Sequence, residues 1–483
     1  MGSIAEDLPL LATKLHITNN KNTHQPTPAP PPPAAPSVGF AVTAVKKELV
    51  AAVLPVQEHW LPLSNLDLLL PPVDVGVFFC YSDGGGDAAA AVLKKGLAQA
   101  LVSYYAFAGE LVMSSGGEPE LLCNNRGVEF CEAYADVALR ELDLYNPDDS
   151  VEGKLVPTKN GGVLAVQVTK LRCGGLVVGC SFDHRIADAY SFNMFLVSWA
   201  ESAQSRPITT LPSFRRSLLN PRRPLSHNSA TLDDMYIPVS SLPPPPPPSS
   251  SSSVLVSRIY HVSSDSLLNL QSLANTNTTN NNRFSKLESF CAHLWQLVAR
   301  STLGNDDDDV VSKMGIVVDG RSRLGPKMGS YFGNVLSIPY GGKRVGELAA
   351  SSLGHVAGGV HEFLGRGASR DHFLGLIDWV EAHRPDHAVS KIYSAGNADG
   401  PAFVVSSGRG MPVGRADFGF GLPVFGSYHF PWGGAAGYVM PMPSPKGNGD
   451  WVVYMHLFEE QLELIEREAA AVFRPFAWEY VIV

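Results

Sequence analysis

The sequence predicts an α/β protein whose two halves each combine strands with helices. Apolar residues recur at helical spacing in several stretches, and short apolar runs bounded by glycine lie beside them in both halves. A proline–serine segment at residues 242–253 separates the two halves. Strands and helices that each bury one apolar face pack as layers, so we expect two α/β sandwich-like domains.

The first half contains two predicted helices and a strand pair. Apolar side chains at helical spacing predict a helix over 92–109. The apolar runs 163–171 and 176–182 predict strands joined by a tight hairpin. A second helix is predicted from about Asp188 to Ala203. Its buried stripe is formed by Phe192, Phe195, Leu196 and Trp199.

The second half repeats this mixture of elements. The segment 258–262 alternates like a strand, and Ser264 or Asp265 is expected to cap the helix that follows. A further helix is predicted over 284–301, with Leu287, Cys291, Leu294 and Leu297 on one face. A strand over 450–457 is expected to lead into an amphipathic helix over 457–473.

Low-complexity segments mark the loops and the domain boundary. Proline residues at 25–36 predict an extended loop, and the proline–serine run at 242–253 has the composition of a linker. A ligand for an SH3 domain is the alternative for either segment. The stretches 275–282 and 305–309 are expected to be loop tips. These features predict a first domain at 1–220, a crossover linker at 221–255 and a second domain at 256–483.

Composition excludes several classes of function. The formal net charge of the 483 residues is -9, which argues against a nucleic-acid partner. None of the six cysteines forms a C-x-x-C pair, so we expect neither a zinc site nor a disulfide framework. The chain lacks a signal peptide and any apolar stretch long enough to span a membrane. We therefore expect a cytoplasmic protein without membrane contact.

The stretch SFDHRIAD places His184 four residues before Asp188, at the end of a strongly apolar strand. Such a spacing is weak evidence alone, because His261 and Asp265 repeat it within a pattern that predicts an ordinary strand and helix. His184 differs in lying at a strand-to-helix turn, where α/β folds present side chains to ligands. Asp183 or Asp188 could orient its ring or raise its pKa. The local pattern leaves both a catalytic base and a helix cap open.

Familiar motifs of catalytic and phosphate-binding sites are missing from the chain. It contains no G-x-S-x-G elbow, no glycine-rich phosphate loop and no H-E-x-x-H zinc motif. A histidine base without a protein nucleophile suits a reaction in which the substrate itself attacks. Direct transfer of an acyl group to an alcohol or amine is such a reaction.

The sequence resembles the plant BAHD acyltransferases, which use acyl-coenzyme A donors. The resemblance rests on SFDHRIAD and on ADFGFGLP at 416–423, which is similar to the family's Asp-Phe-Gly-Trp-Gly motif. It is reinforced by LPLSNLDLLLPP at 61–72, LVSYYAFAGEL at 101–111, VDGRSRL at 318–324 and YFGN at 331–334. These signals occur in the family's order and cover nearly the whole chain.

The resemblance implies two chloramphenicol-acetyltransferase-like domains of mixed sheet and helices, joined by a crossover loop, with an active-site tunnel between them. It implies His184 as general base and Asp188 as an ion-pair partner of Arg321, with Arg323 as the alternative. Asp417 belongs to the second motif, and with Gly419 and Gly421 it is expected to brace a loop on the donor side. Ser285 and Arg283 resemble positions near coenzyme A. A monomer without a metal or redox cofactor is expected, with acyl-coenzyme A as co-substrate.

Several positions depart from the family pattern. Ala189 stands where many members have glycine, and Phe420 replaces a tryptophan, which removes an N–H that could stabilise an oxyanion. Gly408 replaces another tryptophan. Gly410 stands where members that use shikimate place an arginine, and Arg409 should point elsewhere if the segment is extended.

The implied substrate is an aromatic alcohol rather than shikimate or quinate. The segments 373–385, 400–407 and 423–434 resemble the branch of coniferyl alcohol acyltransferases and hydroxycinnamoyltransferase-like proteins. We therefore expect acyl transfer to an alcohol such as coniferyl alcohol, from an acetyl or hydroxycinnamoyl donor, in plant phenylpropanoid metabolism. There are two alternatives. One is N-acylation of an amine or alkaloid, and the other is an inactive homologue that binds acyl-coenzyme A or a partner protein.

Overall fold

A computed structural model describes residues 39–227, 229–242, 254–276, 283–302, 309–394, 400–432 and 434–481. The predicted proline-rich loop at 25–36 lies outside the described residues, and so do most of the predicted loops at 242–253, 275–282 and 305–309. Within the described ranges, no helix combines the length and the apolar character needed to cross a membrane.

Strands and helices alternate along the first half of the chain. The strands are β1 (Val42–Val50), β2 (His59–Pro62), β3 (Asp74–Tyr81), β4 (Glu110–Met113), β5 (Pro119–Cys123), β6 (Val128–Ala135), β7 (Leu164–Leu171), β8 (Leu176–Asp183) and β9 (Tyr236–Pro238). The helices are α1 (Ala89–Ser103), α2 (Pro147–Ser150), α3 (Ala189–Ala203) and α4 (Ser229–Met235).

The second half has the same mixed character. Its strands are β10 (Leu255–Val262), β11 (Val311–Ile316), β12 (Val318–Asp319), β13 (Leu336–Ser337), β14 (Tyr340–Arg344), β15 (Ala388–Ser390), β16 (Ala402–Val405), β17 (Phe425–His429), β18 (Gly437–Pro443), β19 (Trp451–Phe458) and β20 (Arg474–Pro475). Its helices are α5 (Ser264–Ala274), α6 (Lys286–Arg300), α7 (Arg321–Leu324), α8 (Val345–Ala350), α9 (Leu353–Gly367), α10 (Arg370–His383) and α11 (Glu459–Glu468).

Two mixed sheets organise these elements, which confirms the predicted α/β class. The first sheet has the strand order β1-β6-β7-β8-β3-β17, with β6 and β7 parallel and the other pairs antiparallel. The second has the order β14-β11-β16-β18-β19-β10-β20. Strand β17 comes from the second half, but it pairs with β3 in the first sheet. The sheet of the first half is thus completed by the second half, and the domain boundaries at 220 and 255 stay a prediction.

The strongest sequence patterns correspond to observed elements. The predicted hairpin is confirmed as the antiparallel pair β7 and β8. The helix α3 is confirmed, and all four residues of its predicted stripe are fully buried. The helix α6 and the succession of β19 and α11 also agree with the predictions, although α11 ends at Glu468 rather than at 473.

Two local predictions were wrong. The helix predicted over 92–109 ends at Ser103, and a 3-10 turn over Tyr105–Ala108 follows. The buried hydroxyl of Tyr104 hydrogen-bonds Ser198 Oγ on α3 at 2.9 Å, so a tertiary contact holds the chain where the helix ends. The cap of α5 is Ser263, whose side chain accepts a hydrogen bond from the Ser266 N–H, and neither Ser264 nor Asp265 has this role.

Candidate active site

A cavity of about 840 Å³ lies between residues of the two halves. The first half contributes the end of β8, the start of α3 and the segment before β3. The second half contributes the segment 406–415 and side chains near β17 and β18. Residues that line it include Val73, His184, Asn193, Tyr393, Gly408, Arg409, Arg415, Phe430, Trp432 and Tyr438. Its position agrees with the tunnel that the resemblance implies.

His184 lines this cavity at the turn between β8 and α3. Its main chain is held from two sides. The N–H donates to the carbonyl of Val73 at 3.0 Å, and the carbonyl accepts from Nδ2 of Asn334 at 2.9 Å. Val73 directly precedes β3, whereas Asn334 belongs to the second half of the chain. The two halves together therefore fix the backbone from which the histidine projects.

The surroundings of the His184 imidazole disfavour its protonated form. Nδ1 is enclosed without a hydrogen-bond partner among the described residues, which leaves Nε2 as the nitrogen that the cavity reaches. Burial lowers the pKa of this ring, although its own backbone carbonyl and the carboxylates of Asp188 and Asp183 oppose the effect. The ring of Phe430 lies edge-on to it, with centroids 6.4 Å apart. A ring with a lowered pKa stays unprotonated, and able to accept a proton, at neutral pH.

Asp188 caps α3. The local sequence pattern had left open that His184 caps this helix, but the aspartate has that role. Its Oδ1 accepts from the Ser191 N–H at 2.9 Å, as an N-cap side chain does. Its Oδ2 accepts from the Val335 N–H at 3.2 Å. The carboxylate is buried and turned away from the imidazole, with no hydrogen bond to it.

Arg321, rather than the exposed Arg323, is the ion-pair partner of Asp188. Its Nη1 donates to Oδ2 at 2.7 Å and its Nη2 donates to Oδ1 at 3.1 Å, which is bidentate geometry. Nη2 also donates to Ser191 Oγ at 3.0 Å and to the Gly333 carbonyl at 2.7 Å. The guanidinium thus joins α3 to the second half beneath the turn that carries His184.

Asp183 is also committed elsewhere. It forms a bidentate ion pair with Arg185, with contacts of 2.9 and 2.7 Å to its two oxygens. Neither neighbouring acid therefore hydrogen-bonds the ring of His184, and the acids act on it only through their charge.

The second motif lies outside the residues that line the cavity. Asp417 Oδ1 accepts from the N–H of Gly419 at 2.8 Å and from that of Gly421 at 3.1 Å. Both glycines have positive φ angles, 106° and 96°, which residues with a Cβ rarely adopt. Asp417 therefore closes a turn, as a bracing residue would.

The position of Phe420 differs from the expectation that this residue replaces an oxyanion donor in the site. Its ring packs edge-on against Tyr81, with centroids 4.9 Å apart, and it does not line the cavity. An indole at this position would donate from the same packed turn. The exchange of tryptophan for phenylalanine therefore removes no donor from the cavity wall around His184.

The two residues expected near coenzyme A lie at the start of α6. The Ser285 hydroxyl accepts from the Glu288 N–H and donates to its Oε2 at 2.6 Å, forming a capping box. Arg283 is exposed two residues earlier. Neither residue lines the cavity that contains His184.

The segment 408–410 differs from the expectation that it is extended. It forms a 3-10 turn rather than an extended strand, so the argument that Arg409 must point away does not apply. Arg409 lines the cavity beside Gly410. A Cβ on Gly408 would overlap Cγ of Met442 and approach Cγ of Met440 to 3.1 Å, so a tryptophan could not occupy this place without repacking.

Aromatic side chains that motif analysis missed form part of the wall. The rings of Phe430 and Tyr438 lie 5.1 Å apart, and those of Tyr393 and Trp432 lie 4.7 Å apart. Asn334 was also missed as an individual residue, although its motif YFGN was visible. Within the described ranges, no group of three or more His, Cys, Asp or Glu residues is arranged to hold a metal ion.

Comparison with known proteins agrees with this geometry. The model of the Transferase family matches residues 40–472. A hydroxycinnamoyltransferase of Narcissus pseudonarcissus is 30% identical over 426 residues, covering 84% of this chain and 94% of its own. Anthranilate N-benzoyltransferase protein 3 of Dianthus caryophyllus is 30% identical over 392 residues, covering 78% and 84%.

A solved structure supports the fold. The crystal structure of TRI101 of F. graminearum, complexed with coenzyme A and deoxynivalenol, superimposes with a TM-score of 0.71 at 16% identity and covers 85% of this chain and 97% of that one. At this identity the likeness shows the two-domain, chloramphenicol-acetyltransferase-like fold alone. The match over most of the chain and the shared fold show that the protein is an enzyme of the Transferase family, the BAHD acyltransferases.

Proposed function

We propose that this enzyme transfers an acetyl or hydroxycinnamoyl group from acyl-coenzyme A directly to the hydroxyl of an aromatic alcohol, such as coniferyl alcohol. The observation that carries the proposal is that His184 lines a cavity to which both halves contribute, with its Nδ1 enclosed and burial lowering the pKa of its ring. Such a cavity has room for donor and acceptor to meet at one base.

The proposed reaction needs no acyl-enzyme. Nε2 of His184 accepts the proton of the acceptor hydroxyl while its oxygen attacks the thioester carbonyl. The tetrahedral intermediate collapses, the C–S bond breaks, and the imidazolium returns the proton to the coenzyme A thiolate. Coenzyme A is thus a co-substrate, and the proposal includes no metal or other cofactor.

The protein thiols support direct transfer, because none of the six cysteines lines the cavity that contains His184. All six cysteines are free. Burial raises the pKa of Cys80, Cys180 and Cys291 far above the usual range. Since the thiolate is the reactive form, these residues stay inert at neutral pH.

The cavity wall supports an aromatic acceptor. Phe430, Trp432 and Tyr438 provide ring faces and edges in the cavity that His184 also lines, where an aromatic alcohol can bury apolar surface. Tyr393 brings a hydroxyl to the same wall, and a substrate phenol would be its natural hydrogen-bond partner. For coenzyme A we retain Arg283, an exposed cation that suits a phosphate, whereas Ser285 serves its helix cap.

N-acylation is the second candidate function. It is favoured by the similarity to the Dianthus N-benzoyltransferase, and the same base would serve an amine. Under both candidates the protein works as a cytoplasmic monomer on small molecules.

The test measures release of free thiol from acetyl- and hydroxycinnamoyl-coenzyme A with coniferyl alcohol and, separately, with an amine panel. His184→Gln is compared with His261→Gln, since His261 belongs to the second His-x-x-x-Asp pair and hydrogen-bonds Asp450 at 2.9 Å away from the cavity. We expect alcohol-dependent release that falls at least about 10²-fold in His184→Gln only. Release with amines alone would favour N-acylation, and no release with any pair would indicate an inactive homologue.

A further inference from the structure

A buried asparagine links the candidate base to a carboxylate in the other half of the chain. The N–H of Asn334 donates to Oδ1 of Asp67 at 2.7 Å. Its side-chain Nδ2 donates to the same oxygen at 2.9 Å and to the carbonyl of His184 at 2.9 Å. Both hydrogens of the amide are thus used, and the orientation of the side chain is determined.

Asp67 is itself rigidly held. Its Oδ2 accepts from the N–H of Ser64 at 2.8 Å and from the Ser64 hydroxyl at 2.7 Å. Asp67 and Asn334 are both fully buried. Arg216, which donates to the Phe332 carbonyl at 2.6 Å, balances the charge: burial lowers its pKa, but attraction to Asp67 together with the contacts to Tyr331 and Tyr105 raises it overall. A buried charge with this many partners forms a fixed anchor.

Two atoms near this contact remain unsatisfied. Oδ1 of Asn334 and Nδ1 of His184 are both enclosed without a hydrogen-bond partner among the described residues. One is an acceptor and the other can carry a proton. The two atoms are not hydrogen-bonded to each other, but the side chain of Asn334 raises the pKa of His184, as the histidine's own backbone carbonyl does more strongly, against the larger, opposite effect of burial.

We propose that Asn334, anchored by Asp67, is the positioning residue of the catalytic histidine: it fixes the main chain of His184 and keeps the ring proton on Nδ1. Nε2 then presents its lone pair to the cavity, as a general base requires. This inference rests on the proposed function of His184 as the base. It gives the motifs around Asp67 and Asn334 a shared role in the reaction.

The test compares Asn334→Ala with Asn65→Ala. Asn65 is a matched control, because it is a buried asparagine that also joins the halves, through its Nδ2 to the Ile377 carbonyl at 2.8 Å, without touching His184. For Asn334→Ala we expect kcat to fall roughly 10- to 100-fold, as when other supporting partners of a functional histidine are removed, with little change in KM for acyl-coenzyme A. The acidic limb of its kcat/KM profile should move to lower pH, because the ring loses an acceptor. In Asn65→Ala that limb should stay in place.

The outcomes separate this inference from the proposed function. If His184→Gln is inactive while Asn334→Ala keeps kcat within about twofold and an unmoved limb, the positioning role is wrong and the base remains. If His184→Gln keeps full activity, both proposals fail. Nitrogen NMR of the wild-type enzyme, with His184 assigned by its variant, reads the tautomer directly even if Asn334→Ala does not fold. A proton on Nε2 would overturn the inference.

Discussion

Replacing Arg321 by methionine should cost much of the stability of the fold, because it leaves the carboxylate of Asp188 buried without its counter-charge. The side chains of the pair are only 3% and 1% exposed. Arg321→Met removes the contacts of 2.7 and 3.1 Å to the carboxylate, together with those to Ser191 and Gly333. Methionine keeps the apolar length of the side chain, so the loss reports mainly on charge and hydrogen bonds.

The magnitude follows from what Asp188 retains. Removing one partner of a buried ion pair costs about 3–5 kcal/mol. The Ser191 and Val335 N–H groups still bind the carboxylate, so we expect a loss near the lower limit, ~3 kcal/mol. Asp188→Asn keeps an oxygen for the helix cap, which alone is worth ~1 kcal/mol. In the double variant both charges are gone, and its cost should fall below the sum of the single variants by ~2 kcal/mol.

Urea unfolding followed by tryptophan fluorescence measures these changes as shifts of the midpoint at constant slope. Arg323→Met is the control, because Arg323 is exposed two residues away, and it should stay within ~0.5 kcal/mol of wild type. A loss below ~1 kcal/mol in Arg321→Met, or additive costs in the double variant, would show that the buried pair does not hold the turn that carries His184.

Three further outcomes are expected. Because burial lowers the pKa of His184, the acidic limb of kcat/KM should have its midpoint below the usual histidine value of about 6.5, and a midpoint above it would contradict the burial argument. Gly410→Arg places a cation in open space, where the nearest atom to a Cβ is an amide nitrogen at 3.7 Å, and should lower KM for carboxylate-bearing acceptors by roughly 10-fold relative to Gly410→Gln. Gly408→Ala should cost ~1–3 kcal/mol in urea unfolding because its Cβ overlaps Met442, whereas Gly414→Ala, with no atom within 4 Å, should be nearly neutral.

Much of the fold could be predicted from local sequence. Helices such as α3 and α6 were visible because their burial pattern has the period of the helix, and the hairpin of β7 and β8 was visible because glycine breaks two apolar runs. The end of α1 could not be predicted from its pattern. The apolar spacing continues past Ser103, but a hydrogen bond from Tyr104 to α3 holds the chain there.

The candidate site was predictable as motifs and much less as contacts. The resemblance named Arg321 as the partner of Asp188, and the structure contains that ion pair. It could not place Phe420 or Arg409, because whether a side chain reaches the cavity depends on the turn that carries it. The sequence showed Asn334 only as one residue of the motif YFGN.

The sequence by itself determined the strongest helices and strands and the family, and it nominated His184 as the candidate base, since periodicity and motif spacing are properties of neighbouring residues. Only the tertiary structure decided that β17 completes the first sheet and that Asn334 joins Asp67 to the carbonyl of His184. These contacts link residues that are far apart in the chain. Their partners are selected by packing and by the need to satisfy buried polar groups, and no local pattern records that selection.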